Sequence, residues 1–240
     1  MKIVLPKEHG AWAMMLAPFV IGATIHGLKW LHLPLFMGWV FLYLLSYPLL
    51  MVIRNAGNYS LYGKWLFIYG VLAAVCLTIP LYYYPELMIL GALMIPFFIV
   101  NVYFAKSKQE RGLMNNFSAI VILSLGSVAS NYLSVGRLTE EAIYAWFLCV
   151  LFFGGSVFFV KTMIREKNNI LFRYYSWLYH GLLVFLPIAT HQQWILSMTY
   201  LPSLVRAIVC TNREMAPLQI GKVEILNTIF FTVCLIIYLH

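Results

Sequence analysis

Nine long apolar runs separated by short polar segments make up the chain, and this feature limits its fold more than any other. A membrane-spanning helix needs roughly 20 apolar residues, so nine such helices would use about 180 residues. The rest of the 240 residues suffices for loops and ends, but not for a soluble domain. With 62% hydrophobic and 10% charged residues, the chain also lacks the polar surface of a water-soluble globule. The sequence therefore predicts an all-α, polytopic transmembrane helix bundle that forms one domain, residues 1–240.

Proline, glycine and charged residues mark the edges of the apolar runs. The predicted spans are 11–27, 31–53, 65–84, 87–105, 117–135, 142–160, 175–190, 194–210 and 224–239. The first span lacks a small-residue cleavage site and leads directly into further apolar segments. We therefore interpret it as a retained first helix and not as a cleaved signal peptide.

Basic residues are unevenly divided between the two sides that nine spans define. If the N-terminus is cytoplasmic, 14 of the 16 lysines and arginines fall in cytoplasmic segments, and only Lys29 and Arg137 lie outside. Cytoplasmic loops of membrane proteins are enriched in Lys and Arg, and an even number of spans would destroy this asymmetry. The sequence therefore predicts a cytoplasmic N-terminus and an external C-terminus. Contact with anionic lipid headgroups also explains the net charge of +8, so we predict the lipid bilayer as partner and no nucleic acid.

A short motif recurs at the cytoplasmic ends of the second and sixth spans. Residues 53–58 and 164–169 share the pattern Ile-Arg-x-x-x-Asn. Four spans separate the two copies, which is typical of an internal duplication. The pattern predicts four-helix pseudo-repeats at 11–116 and 117–223, followed by a last helix at 224–239.

Each copy of this motif would present cations and amides where a helix leaves the hydrocarbon. Asparagine adds directional hydrogen bonding that an ordinary stop residue does not need. The alternative is that these arginines are stop residues whose side chains snorkel to lipid phosphates. We expect Arg54 and Arg165 to converge on one cytoplasmic-side cavity, together with Glu8, His9 and Asn58.

Ionisable residues at membrane depth are functional candidates, because burying them is costly. Three of mixed sign crowd the entrance of the first span, Arg206 lies inside the eighth apolar run, and His180 lies near the basic cytoplasmic end. We expect Glu8 to pair with Arg165 or Arg206. The predicted ligand-binding residues are Lys7, Glu8, His9, Arg54, Asn58, Lys161, Arg165, Asn169, His180 and Arg206.

The histidines and cysteines of this sequence lack the spacing that is typical of metal ligands. The predicted outer side carries four histidines, none of which forms an i, i+4 pair, namely His26, His32, His191 and His240. The four cysteines stand alone in or beside apolar runs. The pattern predicts no metal site, and it identifies no cofactor.

The opening block Pro-Lys-Glu-His-Gly-Ala-Trp-Ala-Met at 6–14, together with Met-Ile-Arg-Glu-Lys-Asn at 163–168 and Tyr179-His180, resembles the YwiC-like family of bacterial membrane proteins. The resemblance runs the whole length of the chain, and the N-terminal block is its most specific part. It implies a location in the bacterial cell membrane and no particular reaction.

At the level of the fold, the nine spans, their orientation and the equivalent loops after spans two and six are similar to UbiA-type prenyltransferases, in a 4+4+1 arrangement. In those enzymes, Asp-rich motifs in these two loops bind magnesium and a prenyl diphosphate over a lipid-filled bundle. This sequence has no aspartate, and its two equivalent helix ends offer one carboxylate, Glu166. We therefore expect no magnesium-dependent prenyl transfer.

Three functions fit these observations. The leading hypothesis is a multi-pass protein of the bacterial cytoplasmic membrane that binds an anionic amphiphile in a cytoplasm-facing cavity, as an enzyme or as a carrier. The alternatives are a small-solute transporter, for which helix-interrupting prolines are typical, and an assembly or regulatory subunit with small residues at helix contacts. The sequence identifies no catalytic residue, substrate or oligomeric state.

Overall fold

The computed structural model describes residues 3–6, 9–54, 59–191, 193–211 and 213–240. Within these residues all regular secondary structure is helical, which confirms the predicted all-α fold. The helices are α1 His9–Ile25, α2 His32–Ile53, α3 Tyr59–Tyr83, α4 Leu87–Lys106, α5 Leu113–Ser124, α6 Gly126–Val135, α7 Glu140–Ile164, α8 Ile170–His191, α9 Trp194–Val209 and α10 Pro217–Leu239.

The fifth predicted span is a pair of helices, α5 and α6, that meet at Leu125. Ser127 Oγ donates a 2.9 Å hydrogen bond to the carbonyl of Ser124, and such side-chain bonds compete with the helical ladder. Gly126 lies against the indole of Trp39, since a Cβ at this glycine would be 3.2 Å from Trp39 Nε1. In the part of the chain that the structure describes, ten helices therefore occupy the nine predicted spans.

Length and composition make six of the described helical segments suitable for crossing a membrane. They are His32–Ile53, Tyr59–Tyr83, Leu87–Lys106, Leu113–Val135, Glu140–Ile164 and Pro217–Leu239. Two shorter apolar helices cover Gly10–Ile25 and Trp194–Val209. The chain is therefore a membrane protein. The helix α8, which carries His180, is not among these six segments.

Several helices begin earlier than the apolar runs predicted. α3 begins at Tyr59 instead of 65, α8 at Ile170 instead of 175, and α10 at Pro217 instead of 224. Hydropathy marks the hydrocarbon layer, whereas a helix continues through the interface until its end groups reach water or a cap. Glu224, predicted to open the last helix, therefore lies about two turns inside it.

The helices form two compact units, residues 1–146 and 147–240. In the first unit α1 packs closely on α6. A Cβ at Gly22 would overlap the carbonyl oxygen of Ser127, and Ser130 Oγ donates a 2.8 Å hydrogen bond to the carbonyl of Phe19. Small residues thus bring these two backbones together.

The second unit packs α7, α8, α9 and α10. Phe152 of α7 stacks on Phe231 of α10 with ring centroids 3.8 Å apart. Tyr200 of α9 donates a 2.9 Å hydrogen bond to the carbonyl of Leu148. An apolar cluster nearer the loops consists of Phe159, Met163, Ala207 and Ile220. The predicted four-helix pseudo-repeats stay a prediction.

Candidate functional site

An ion pair lies inside the second unit, between α9 and α10. Arg206 Nη1 pairs with Oε1 of Glu224, and 5% and 15% of the two side chains are exposed. Isolated charges are too costly to bury, so buried ions are paired. Within membrane helices such groups commonly mark substrate, ion or proton pathways. This pair is therefore the first component of the candidate site.

The guanidinium of Arg206 is held from more than one helix. Its Nη2 donates a 3.2 Å hydrogen bond to Ser156 Oγ of α7. Its Cζ lies 4.6 Å from the ring centroid of Phe159, also on α7, which is the geometry of a cation–π contact. Together with Glu224 of α10, these contacts hold the cation in a fixed position.

Further polar side chains surround the pair. Asn227 Nδ2 donates a 3.0 Å hydrogen bond to Ser203 Oγ, one turn from the pair on the same two helices. Ser156, Ser203 and Asn227 are all buried. We use the name inner polar layer for the group Ser156, His180, Ser203, Arg206, Glu224 and Asn227.

His180 of α8 is the imidazole of this layer. It is 1% exposed, and its Nδ1–H donates a 2.7 Å hydrogen bond to the carbonyl of Ser176. This bond leaves Nε2 as an acceptor, and Nε2 has no hydrogen-bond partner among the described residues. A Cβ at Gly155 would be 3.0 Å from Nε2, so a larger residue there would crowd the ring. Gly155 directly precedes Ser156, the hydrogen-bond partner of Arg206, so the imidazole lies in the same part of the unit as Arg206.

The second component is the loop between α7 and α8, which forms an open concavity of about 720 Å³. We call it the basic concavity. Its polar lining consists of two cations, one carboxylate and two amides, namely Arg165, Lys167, Glu166, Asn168 and Asn169. Ile170 and Leu171 add exposed apolar side chains. Cations and apolar side chains thus lie side by side.

Hydrogen bonds between neighbouring residues fix the conformation of this loop. Asn169 Oδ1 accepts a 3.1 Å hydrogen bond from the backbone N–H of Phe172 and so caps α8, while its Nδ2 donates to Glu166 at 2.9 Å. Lys167 Nζ pairs with Glu214 at 2.7 Å in an exposed position, and this hydrogen bond lowers the pKa of the Glu214 carboxyl.

The first unit has an ion pair of the same residue types. Arg54 Nη1 donates to both carboxylate oxygens of Glu110, at 3.0 and 3.1 Å. About a third of each side chain is exposed, 34% and 31%. The backbone of Glu110 is fixed by Asn115, whose Nδ2 donates a 2.6 Å hydrogen bond to its carbonyl.

Comparison with known proteins gives full-length relatives. A family model described as YwiC-like protein matches residues 5–131. The uncharacterized protein YwiC of Bacillus subtilis is 37% identical over 239 residues, which is 100% of this chain and 99% of the relative. An uncharacterized protein of Haemophilus influenzae is 35% identical over 238 residues, 99% of each chain. The chain belongs to the YwiC-like family.

Membership of the YwiC-like family confirms the resemblance that the N-terminal block predicted. No solved structure matches the chain, and the similarity to UbiA-type prenyltransferases is unconfirmed. The family model covers residues of the first unit, whereas both relatives align over the inner polar layer as well. The names of these relatives state no activity, so the functional evidence lies in the site itself.

The structure of this YwiC-like protein brings two of the predicted site residues, His180 and Arg206, into one layer. Arg165 and Asn169 share the basic concavity, and Lys161 lies one turn earlier, where its carbonyl accepts the backbone N–H of Arg165 at 2.9 Å.

Other predicted site residues cannot be grouped in this way. Lys7, Glu8 and Asn58 lie outside the described residues, as does the side chain of His9. The expected ion pair of Glu8 is therefore untested, and the carboxylate found beside Arg206 is Glu224. Since Arg54 belongs to the first unit and Arg165 to the second, their convergence stays a prediction.

Sequence reasoning missed Glu224, because the last span was predicted to start there. A signal was present, since Ser203 and Arg206 are three residues apart, as are Glu224 and Asn227, on two helices joined by a short loop. Residues three apart share a helix face, so two antiparallel helices would bring these pairs together.

Two of the histidines that were predicted on the outer side hold helix ends in the first unit. His32 Nε2 donates a 3.0 Å hydrogen bond to the carbonyl of Ser130, and its Nδ1 accepts the backbone N–H of Lys29 at 2.9 Å. Asn131 Nδ2 donates to His26 Nδ1 at 2.9 Å. Over the described ranges no three His, Cys or Glu side chains cluster in a way that could hold a metal ion.

Proposed function

We propose that this membrane protein binds an anionic amphiphile at the basic concavity. The observation that carries the proposal is the position of Arg165 and Lys167 beside the exposed side chains of Ile170 and Leu171. A guanidinium and an ammonium group form charge-assisted hydrogen bonds with phosphate or carboxylate. Neighbouring apolar side chains gain free energy by covering an acyl chain. The lining thus matches both ends of such a ligand.

The proposed location is the bacterial cytoplasmic membrane, with the basic concavity facing the cytoplasm. Support comes from the 14 of 16 basic residues that this orientation keeps inside. A reporter fused after His240 should be active outside the cell membrane, and a reporter near Lys108 should be active inside. Cytoplasmic activity of both fusions would rule out this orientation.

The binding proposal is tested with purified protein in detergent and dioctanoyl phosphatidic acid as the probe. Arg165→Ala should weaken binding about tenfold, since a hydrogen bond to a charged group contributes roughly 1.5 kcal/mol or more. Isothermal titration calorimetry gives the dissociation constant.

Two controls make this experiment specific. Arg137→Ala removes a cation from the predicted outer side and should leave the affinity unchanged. Dioctanoyl phosphatidylcholine has the same tails without the net charge and should bind more weakly than the phosphatidic acid. Equal affinities for the two lipids, or equal losses in the two variants, would refute an anion-selective concavity.

A further inference from the structure

Arg206, the cation of the inner polar layer, is already paired with a carboxylate of the protein itself. Arg206 uses Nη1 for Glu224 and Nη2 for Ser156. Its Nε has no hydrogen-bond partner within the described part of the chain. A guanidinium has five N–H donors in a planar fork that matches an oxyanion. The guanidinium of Arg206 thus resembles an oxyanion-binding site in which the Nε–H donor is unused by the described residues.

Arg206 is held in this site by more contacts than Glu224, so Glu224 is the partner that leaves in an exchange. The arginine is 5% exposed and is also held by Ser156 and Phe159, while the glutamate is 15% exposed. Its side chain is short and reaches Arg206 across the gap between two helices. A carboxylate that loses its cation in apolar surroundings becomes neutral by taking up a proton.

We propose that Arg206 binds an oxyanion in exchange for Glu224, and that Glu224 takes up one proton as it leaves the guanidinium. One carboxylate oxygen of Glu224 gains a proton from the aqueous phase, and Arg206 keeps its charge. The charge of the incoming oxyanion replaces that of Glu224, so the net charge of the layer is conserved. This exchange does not depend on ligand binding at the basic concavity.

Titratable groups reach this site from three of the four helices of the second unit. α8 supplies His180, α9 supplies Arg206 and Cys210, and α10 supplies Glu224. α7 faces Arg206 with Ser156 and Phe159, which do not titrate near neutral pH. His180 is therefore the competing proton acceptor, and the experiment must separate it from Glu224.

The ligand class follows from the resident group. Because a carboxylate occupies the site, the exchanging ligand is a carboxylate or an oxyanion of similar size. It is either a free solute or the headgroup of an amphiphile. Acetate and octanoate carry the same carboxylate and differ only in the tail, so they distinguish the two sources.

The decisive measurement is proton uptake by the wild-type protein in detergent, followed with a pH indicator in weak buffer at pH 7.5. Sodium acetate or octanoate at matched pH should cause uptake approaching one proton per protein at saturation, and sodium chloride at equal ionic strength should not. Because binding and protonation are linked, the apparent Kd should fall about tenfold for each unit of decreasing pH. Acetate-driven uptake identifies a free solute, and uptake with octanoate alone identifies an amphiphile.

Absence of uptake with both probes in the wild-type protein would overturn the proposal without any variant. Glu224→Gln should bind the active probe at least as tightly, without proton uptake and without pH dependence. His180→Gln should still take up one proton for each probe molecule that binds, whatever its affinity for the probe. Uptake that persists in Glu224→Gln and disappears in His180→Gln would overturn the assignment of the proton to Glu224. Gel filtration establishes that each variant is folded.

Discussion

The two units each contain an arginine–glutamate pair, and the two pairs differ in how far their side chains are buried. Arg206 and Glu224 both lie within helices, with 5% and 15% of their side chains exposed. Arg54 forms the C-terminal cap of α2, and Glu110 lies in the loop between α4 and α5, with 34% and 31% exposed. In the sequence, both arginines stand near predicted cytoplasmic helix ends. Ion pairs of the same two residue types therefore have different roles, which depend on how far they are buried.

Burial decides what each pair contributes to folding. Exposed ion pairs contribute about 0–1 kcal/mol, because water and salt screen them. Removing one partner of a buried pair costs about 3–5 kcal/mol, because the other charge remains without compensation. We expect the pair of the first unit to hold a loop in place. In the second unit, we expect the loss of either charge of the pair to lower the stability of the protein.

The largest effect is expected for Glu224→Ala. This change leaves the guanidinium of Arg206 buried beside Ser156 and Phe159 without its counter-ion. The free energy of unfolding in detergent should fall by about 3–5 kcal/mol. Chemical denaturation followed by tryptophan fluorescence measures it.

A double variant controls for lost packing. Arg206→Met combined with Glu224→Ala should recover most of the stability, because no unpaired charge remains. If the double variant is no more stable than Glu224→Ala alone, the cost comes from packing and the comparison with the first unit loses its basis.

A much smaller effect is expected for Glu110→Ala in the first unit. About a third of each side chain of its pair with Arg54 is exposed, so the free energy of unfolding should fall by no more than about 1 kcal/mol. The difference should shrink further in concentrated salt. A loss as large as that of Glu224→Ala would mean that lipid, in place of water, surrounds this pair.

The smallest effect is expected for Glu214→Gln at the exposed pair with Lys167. The lysine lowers the pKa of Glu214, so any contribution is present above the ordinary carboxyl pKa and disappears as the pH falls through the lowered value. At neutral pH the melting temperature should match that of the wild type, because both side chains are in water. A clear drop at pH 7 that vanishes in acid would show that this contact stabilises the protein.

Much of the fold could be predicted from hydropathy, because lipid forces long apolar runs into helices. Helix starts were less predictable, since the apolar run ends where the hydrocarbon ends. For α10 the missing information was present in the sequence as local chemistry. Pro217 stands at the start of the helix, and the Gln219 side chain accepts the backbone N–H of Ala216 at 2.9 Å. Proline in the first turn and glutamine two residues later are typical of a helix start.

For the candidate site, sequence reasoning found the residues that are unusual in their surroundings. Arg206 and His180 interrupt apolar or aromatic segments, so the sequence itself indicates that burying them costs free energy. Glu224 was taken for an end residue because the polar segment before it resembles a loop. Its partnership with Arg206 depends on how two helices pack, and a single sequence carries no direct record of that contact.

The position of Glu224 along α10 also has an electrical consequence. Glu224 is about 10 Å from the helix start, in a helix of roughly 35 Å. The apolar run begins at Glu224, so a proton that arrives from the helix start crosses little hydrocarbon. In the proposed exchange the proton and the oxyanion enter together and carry no net charge. Moving one charge across the full membrane corresponds to about 2.3 kcal/mol per 100 mV, and a neutral pair that enters from one side contributes no such energy. Binding at Arg206 should therefore follow the pH and remain indifferent to the voltage of the cell membrane.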